Sequence, residues 1–454
     1  MEQFDVLIVG AATAGSFLAR RLAESGHRVL VLEQHPKEKL GRKPELLRIA
    51  RADFARYALP IPEEADDLAY TCPGGSVFSA RNHYPKEISC ESVGVYRFRY
   101  IARMNAWARA AGAEIRYQAS FVDFLFENGR IAGAVYEQDG ARHEVRAKLV
   151  ADCSGAAAVA RTKLPDGYGV ENAPTAPDDL LYVTLRHVVY HEPEHSVSRM
   201  RGWPYYPAWV APEGRVDCAI LGTWASGSFD EGERVFAAFQ RAVRLPRYTT
   251  LCTERGALLN RHPLHSFAAD GFLASGDAAY VTVSSSLAGF SVCMPQLAIA
   301  AEEIGRLLNE GGYLSRARLW NINTRFFSEQ GLVLVARNAM QPALLYTTAS
   351  EDDFFFRYNL FYSEQTLSAL SQGAIPVFSA KETLRDALAL LGGVLTGKVR
   401  VAAAGWFIRN VQNGMRAVRL YAAYPASEAR LNAWVSRAEA FWKKCGRIAE
   451  NEVK

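Results

Sequence analysis

Asp5-Val-Leu-Ile-Val-Gly10-Ala-Ala-Thr-Ala-Gly15, carried through a helical stretch to Val29-Leu-Val-Leu-Glu33, decides the fold of this chain. Val6 to Val9 form the continuous apolar run that a buried parallel strand needs, and a glycine-bearing turn follows at once. Ala14, Leu18, Ala19 and Leu22 recur at helical spacing, Gly26 closes the helix, and a second apolar strand ends on Glu33. Strand, turn, helix, strand and acid in that order read as a βαβ dinucleotide-binding unit. Backbone N–H groups at the helix start can hold a pyrophosphate, and Glu33 can accept hydrogen bonds from an adenosine ribose. Ala12 takes the place of the middle glycine of G-x-G-x-x-G; its methyl group is compatible with that role if the backbone keeps a negative φ.

Outward from this unit, 454 residues imply two or three subdomains, and 49% hydrophobic with 22% charged residues is the composition of a soluble globular protein. A net charge of +4 is too small to argue for nucleic acid, and neither a zinc-finger spacing nor a basic helical arm is present. From Lys398 onward, however, eleven Lys and Arg face four Glu, an excess of +7. Those basic C-terminal helices read either as a loose attachment to anionic membrane or as ordinary solvated faces. Seven scattered cysteines without a C-x-x-C pair read as reduced thiols of a cytoplasmic protein. The N-terminus enters a strand directly, without the basic region of a secretory signal, and Arg20-Arg21 follows the apolar run, the wrong order for twin-arginine export. The uncharged span from Ala278 to Ala301 could cross a bilayer by length, but Ser284, Ser285, Ser286, Pro295 and Gln296 argue for a buried segment.

Further along, Pro44 to Tyr70 reads as an amphipathic helix, 71–92 as short strands and turns, and 97–111 as a helix. Strands are expected around 117–126, 131–136 and 144–151, with Asn128-Gly129 and Asp139-Gly140 at hairpin turns. Residues 176–270 alternate aromatic and polar positions as mixed sheet, and the chain beyond Pro295 is mostly helical.

A second anchor is Gly271-Phe-Leu-Ala-Ser-Gly276-Asp277-Ala-Ala279, an apolar strand emptying into a Gly-Asp turn before an uncharged helix that starts near 286–289. This element, far downstream of the N-terminal unit, resembles the FAD-dependent geranylgeranyl reductase group of the para-hydroxybenzoate-hydroxylase-like flavoproteins. Three further matches extend the resemblance over roughly residues 1–330. Arg97-Phe-Arg-Tyr-Ile-Ala-Arg-Met with Gly112-Ala113-Glu114 is similar to the family's Arg-led helix, Asp152-Cys-Ser-Gly155 to its D-A-S-G element, and Phe121-Val122 to a strand passing beside adenine.

The resemblance implies an α/β fold: a glutathione-reductase-like Rossmann domain for FAD (1–70, 93–175 and 265–330), an interleaved substrate sheet (71–92 and 176–264) and a helical region (331–454). It implies FAD contacts from Gly10, Ala12, Thr13, Ala14 and Gly15, and from Glu33, Gln34 and Arg42. Further contacts are implied from Arg97, Phe121, Val122, Ser154 and Gly155, and then from Gly276, Asp277, Ala288, Gly289 and Phe290. A helix N-terminus near the flavin N1 and C2 carbonyl would stabilise the anionic reduced ring. Trp203-Pro-Tyr-Tyr-Pro207 resembles the family's aromatic Y-x-W-x-F-P strand with its spacing off by one, so Trp203, Tyr205 and Tyr206 read either as core or as substrate wall.

The chain departs from the family after G-D-A-A, where Tyr280 replaces a glycine and Ser284-Ser-Ser-Leu-Ala-Gly-Phe290 replaces P-L-T-G-E-G-I. Lys39-Leu-Gly-Arg-Lys-Pro44 stands where archaeal reductases carry K-x-C-G-G, so no redox cysteine is nominated, and no catalytic residue is assigned. No second glycine-rich unit is present, so NAD(P)H or a reduced protein would deliver electrons by transient docking. The absence of W-x-W-x-I-P argues against a halogenase. The expectation is reduction of a carbon–carbon double bond in a lipophilic substrate such as an isoprenoid. The alternatives are hydroxylation of an aromatic or lipophilic molecule and a non-catalytic flavin-binding role.

Overall fold

The computed structural model describes all residues except 193–196, 216, 283–288, 341–345, 361, 372–373, 377–378 and 447–454. The opening unit is formed as β1 (Glu2–Val9), α1 (Thr13–Glu24) and β2 (Val29–Glu33). Val6, Leu7, Ile8, Leu30 and Val31 are fully buried, which at roughly 1.5–3 kcal/mol per large side chain makes this pair of strands the centre of the core. β1 pairs in parallel with β2 and with Ala141–Asp152, which pairs in parallel with Phe272–Ala274; Glu114–Tyr117 lies outside β2. The register aligns Val9 with Asp152 and Asp152 with Ala274. Three parallel strands therefore end side by side, and each empties into one of the turns singled out in the sequence. This is the edge at which open α/β sheets bind ligands.

Ala119–Glu127, Arg130–Gln138 and Ala141–Asp152 form an antiparallel meander on the same sheet. Its two turns carry positive φ at Asn128 (51°), Gly129 (74°), Asp139 (53°) and Gly140 (74°), the backbone that an Asn-Gly or Asp-Gly hairpin turn requires.

A second, seven-stranded sheet runs in the order Tyr248–Leu259, Leu180–Tyr190, Cys218–Ser226, Ala208–Pro212, Met200–Trp203, Gly75–Val77, Lys86–Ile88. Helix Phe229–Ala242 covers one face through Val235, Phe236 and Phe239; the other face looks toward the dinucleotide-type sheet.

Pro44 to Tyr70 does not form one helix. Leu46–Ala50 is a strand paired antiparallel with Ser92–Tyr96, which also pairs with Leu68–Cys72, and only Arg51–Arg56 between them is helical. Cross-strand pairing overrides the local amphipathic pattern here, and Pro60 and Pro62 prevent the helix from continuing. Helices Gly289–Glu310, Arg316–Ser328, Gly331–Asn338, Ala349–Arg357, Glu364–Ser371, Ala380–Leu395, Val401–Ala422 and Leu431–Gly446 complete the chain. Among the described residues no helix is long and apolar enough to cross a membrane.

Candidate active site

The three strand ends and the inner face of the second sheet enclose one cavity of about 690 Å³. At its first end lies the turn between β1 and α1. Gly10 has φ +101°, and a Cβ there would lie 2.7 Å from the Cys153 carbonyl oxygen; a Cβ on Gly15 would lie 1.9 Å from the Gly10 carbonyl oxygen. Strand, turn and helix can approach this closely only with glycine at both places. Ala12 has φ −77°, so its methyl group is carried without strain. Ser16 Oγ donates to the carbonyls of Ala11 and Ala12 at 2.9 and 2.8 Å, and Asn105 Nδ2 donates to the Ala11 carbonyl at 3.1 Å, fixing the turn from behind. No side chain caps the start of α1 and no acid occupies its first turn, while Ala12, Thr13 and Ala14 line the cavity. An uncapped helix start facing a cavity fits a diphosphate.

Glu33, 4% exposed, accepts hydrogen bonds from Ala11 N at 3.0 Å and His35 N at 2.8 Å, and with Gln34 it forms the adjoining wall. On the next strand end, buried Asp152 accepts from Ser154 N (2.9 Å), Ser154 Oγ (2.6 Å) and Arg161 N (2.7 Å). The aspartate shapes the turn, and Ser154 and Gly155 present the surface. On the third, Gln296 of helix Gly289–Glu310 accepts from Gly276 N at 2.9 Å and donates to the Ala274 carbonyl at 3.0 Å, clamping the Gly-Asp turn to the helix whose first residues, Gly289 and Phe290, line the cavity. The Asp277 side chain makes no hydrogen bond among the described residues and presents its accessible surface to the cavity. Enclosure by protein pushes its pKa up, opposed by the charge of Arg97. Burial in turn lowers the Arg97 pKa, opposed by Asp277 and Glu254. Arg97 starts helix Arg97–Ala110, donates from its guanidinium to the Lys43 carbonyl, and lies on the cavity wall. A carboxylate without a partner beside a buried guanidinium is a donor set suited to the hydroxyl and phosphate groups of FAD.

Of the residues named from sequence, Gly10, Ala12, Thr13, Ala14, Glu33, Gln34, Arg97, Phe121, Ser154, Gly155, Gly276, Asp277, Gly289 and Phe290 line this one cavity. Gly15 stands behind it as a packing residue. Val122 points away from it, as strand alternation beside Phe121 requires. Arg42 is also outside: it donates to the Glu38 carbonyl and lies 4.8 Å over the Phe98 ring, while its neighbours Lys43 and Pro44 form the wall. Ala288 lies outside the described residues, as does most of the Ser284 to Phe290 loop.

Trp203, Tyr205 and Tyr206 are placed away from the cavity. Trp203 stacks on Phe78 at 5.3 Å and meets Phe239 at 5.0 Å; Tyr205 and Tyr206 pack edge to face at 4.9 Å, and the Tyr205 hydroxyl donates to the Thr347 carbonyl at 3.2 Å. The aromatic wall comes instead from Trp209, seated so closely on Gly222 that a Cβ there would lie 2.0 Å from the indole. Trp209-Val-Ala211-Pro212 carries the W-x-x-P spacing that Trp203 to Pro207 misses by one, and this exact spacing was the available signal. Two-residue alternation turns Trp209 and Ala211 to the cavity and Ala208 and Val210 to the core under helix Phe229–Ala242. Val183, Leu185 and Ile220 complete an apolar floor.

One polar cluster at the edge of that floor was not anticipated. His187, 1% exposed, lies between Glu213 (Nδ1 to Oε1, 3.4 Å) and Glu254 (Nε2 to Oε2, 3.2 Å). Hydrogen bonding to Glu213 and then to Glu254 pushes its pKa up to about 9. Burial works to raise the Glu213 pKa, yet hydrogen bonds from His187 and Arg215 bring it down to about 2. Glu254 lines the cavity and also accepts from Glu45 N at 3.1 Å, joining the sheet to the loop beside Arg97. A histidine in phase with Val183 and Leu185 was the only trace of this cluster in the sequence.

Residues 3–174 match the family described as FAD binding domain. Digeranylgeranylglycerophospholipid reductase of Sulfolobus acidocaldarius is 23% identical over 95% of this chain and 96% of its own length. Among solved structures, a geranylgeranyl bacteriochlorophyll reductase-like protein of Thermoplasma acidophilum superposes with a TM-score of 0.63 at 18% identity, covering 85% of this chain and 96% of that one. A flavin-dependent brominase superposes with a TM-score of 0.62 at 18% identity, covering 87% and 99%. The fold and cavity are thus those of an FAD-dependent oxidoreductase with a Rossmann-type α/β core. Within that class the chain is similar, over nearly its whole length, to the geranylgeranyl reductases.

Proposed function

We propose that the protein saturates a carbon–carbon double bond of a lipophilic, isoprenoid substrate: FAD, once reduced by transiently docked NAD(P)H or by a reduced protein, would supply hydride to one carbon, and a side chain or water would supply a proton to the other. The observation that carries this reading is the continuity of the cavity. One space of about 690 Å³ runs from the Gly10 to Ala14 turn and Asp277, where a dinucleotide fits, to an apolar floor of Val183, Leu185, Trp209, Ala211 and Ile220. A floor whose side chains are aliphatic apart from the Trp209 indole binds a hydrocarbon by exclusion of water and leaves orientation to the polar groups at its rim. The full-length similarity to a reductase acting on a geranylgeranylated phospholipid supports the same substrate class. Anaerobic mixing of the photoreduced protein with polyprenyl compounds tests the reading: the flavin should reoxidise with formation of the saturated chain. Reoxidation by none of them would overturn it, and substrate-coupled oxygen uptake would favour hydroxylation instead.

The basic C-terminal helices would then hold the protein against an anionic membrane that contains its substrate. Leu384, Leu388, Leu391 and Leu395 form one stripe on helix Ala380–Leu395 and are 61, 59, 54 and 77% exposed. Exposed leucines suit an interface of acyl chains, and the Lys and Arg residues from Lys398 onward would each add about 1 kcal/mol near acidic headgroups. Sedimentation with vesicles should require acidic lipid and weaken with salt; no pelleting with acidic vesicles would remove this part of the proposal.

A further inference from the structure

The seven-stranded sheet turns its inner face to the flavin cavity. Its outer face, at the edge strand Tyr248–Leu259, carries a second pocket lined by Lys43, Arg186, Glu233, Thr253 and Arg255. Arg186 and Thr253 are cross-strand neighbours, and two-residue alternation places Arg255 on the same face as Thr253. Lys43 and Arg255 line both spaces, so the pocket opens off the mouth of the flavin cavity.

Three cations meet a single carboxylate here. Glu233 accepts from Arg186 and lies 3.4 Å from Arg255 Nη2, while Lys43 has no ion pair among the described residues. Arg186 is 7% exposed, with its guanidinium 3.8 Å from the Phe236 ring centroid. One of its nitrogens, Nη1, is buried without a hydrogen-bond partner. Glu233 is the one carboxylate that lines this pocket and it is shared between Arg186 and Arg255, so positive charge is in excess there. A planar guanidinium with a lysine point charge beside it suits the several oxygens of a phosphate better than a single carboxylate.

We propose that this pocket is a phosphate-binding subsite, holding the phosphate or diphosphate of a ligand whose remainder reaches into the flavin cavity. Two ligands share that chemistry: a prenyl substrate with a phosphorylated headgroup, and a pyridine dinucleotide arriving to reduce the flavin. Its part in turnover rests on the reductase reading above, whereas its affinity for phosphate does not.

Calorimetric titration of inorganic pyrophosphate into the oxidised, FAD-loaded protein decides the subsite. The expected result is one saturable site, weakened tenfold or more in Arg186→Met and in Lys43→Ala. Absence of binding to the wild type, or equal binding by the wild type and both variants, would overturn the proposal. Lys43 is exposed, so its variant keeps the test open if Arg186→Met fails to fold, as flavin content and visible spectrum would reveal. The occupant is then identified kinetically. If it is the substrate headgroup, the reduced wild type prefers geranylgeranyl diphosphate to geranylgeraniol and the variants lose that preference. If it is the dinucleotide, the variants instead need tenfold more NADPH for half-maximal flavin reduction. Failure of every prenyl compound to reoxidise the flavin would count against the reductase reading alone, since the pyrophosphate titration is independent of it.

Discussion

Glycine at position 280, the residue that the resemblance to geranylgeranyl reductases implies there, should destabilise this protein. Tyr280 follows the Gly276–Ala279 turn with φ 57° and ψ 30°, a left-handed backbone that costs a non-glycine residue about 1–2 kcal/mol. Its side chain is fully buried, but it points away from the cavity, between the guanidinium groups of Arg161 at 4.8 Å and Arg261 at 4.3 Å. The hydroxyl accepts from Arg161 Nη2 at 2.8 Å and lies 3.2 Å from Thr175 Oγ1. Arg161 itself is 0% exposed and donates to the carbonyls of Ala278, Glu171 and Ala173, so it ties the Asp152 turn to the Gly276–Asp277 turn through this tyrosine. Tyr280→Phe removes one hydrogen bond to a buried cation, about 1.5–3 kcal/mol. Tyr280→Gly relieves the backbone but forfeits the ring as well, about 3–5 kcal/mol for a large-to-small change, for a net loss of about 3–6 kcal/mol. Equilibrium urea denaturation at fixed FAD, followed by far-ultraviolet circular dichroism, should rank wild type above Tyr280→Phe and Tyr280→Phe above Tyr280→Gly. A Tyr280→Gly variant at or above the wild-type midpoint would refute the reasoning, because backbone strain would then outweigh everything the side chain contributes.

Stability should also report on His187. Its folded pKa of about 9 exceeds its ordinary value of 6.5, so the stability it contributes is complete below about pH 6.5 and is lost as pH rises through 9. His187→Gln should lower the urea midpoint at pH 6 and flatten its decline between pH 7 and 9.5; a wild-type midpoint constant over that range would argue against a charged His187. Trp203→Ala, in the core under helix Phe229–Ala242, should cost about 3–5 kcal/mol of stability with little change in the relative rates of flavin reoxidation by C10, C15 and C20 prenyl compounds. Ala211→Phe, on the cavity floor, should do the opposite, shifting those rates toward the shorter chains while the flavin spectrum stays that of wild type. Identical chain-length profiles for both variants would mean that the floor does not touch the chain.

The βαβ unit was legible because each of its steps is local: an apolar run, a glycine turn, a helical repeat and a terminal acid. The two hairpins were legible for the same reason, since Asn-Gly and Asp-Gly specify the backbone that the chain adopts there. For Ala12 the sequence set only a condition, a negative φ, and the backbone meets it at −77°. Reading failed where the deciding partner is remote in sequence. Leu46–Ala50 becomes a strand because Ser92–Tyr96 lies beside it, some forty-five residues later. Between Trp203 and Trp209 the W-x-x-P spacing was the one local signal, and the sheet's alternation with the helix covering one face places Trp209 at the cavity. The position of Tyr280 could not be read at all, because its partners Arg161, Thr175 and Arg261 come from two other segments.

These cases divide the chain's departures from the family that it resembles into two kinds. Ala12 and Tyr280 stand at positions where glycine serves the cofactor, yet neither disturbs the cavity: one adopts a backbone that tolerates a methyl group, and the other directs its side chain into a cage of arginines behind the turn. The turns that face FAD therefore keep their geometry despite the lost glycines. Ala211 belongs to the second kind. It lies on an inner face shared with Trp209, Val183, Leu185 and Ile220, where its small side chain leaves the floor open. Substitutions of the first kind leave the cavity wall free of added side chains and are accommodated within the protein. A substitution of the second kind has no protein partner to compensate it, so the space it leaves is available only to a ligand. If selectivity is set on the sheet, by Trp209 and Ala211, then Ala211→Phe should change the chain-length profile and substitutions behind the glycine turns should not.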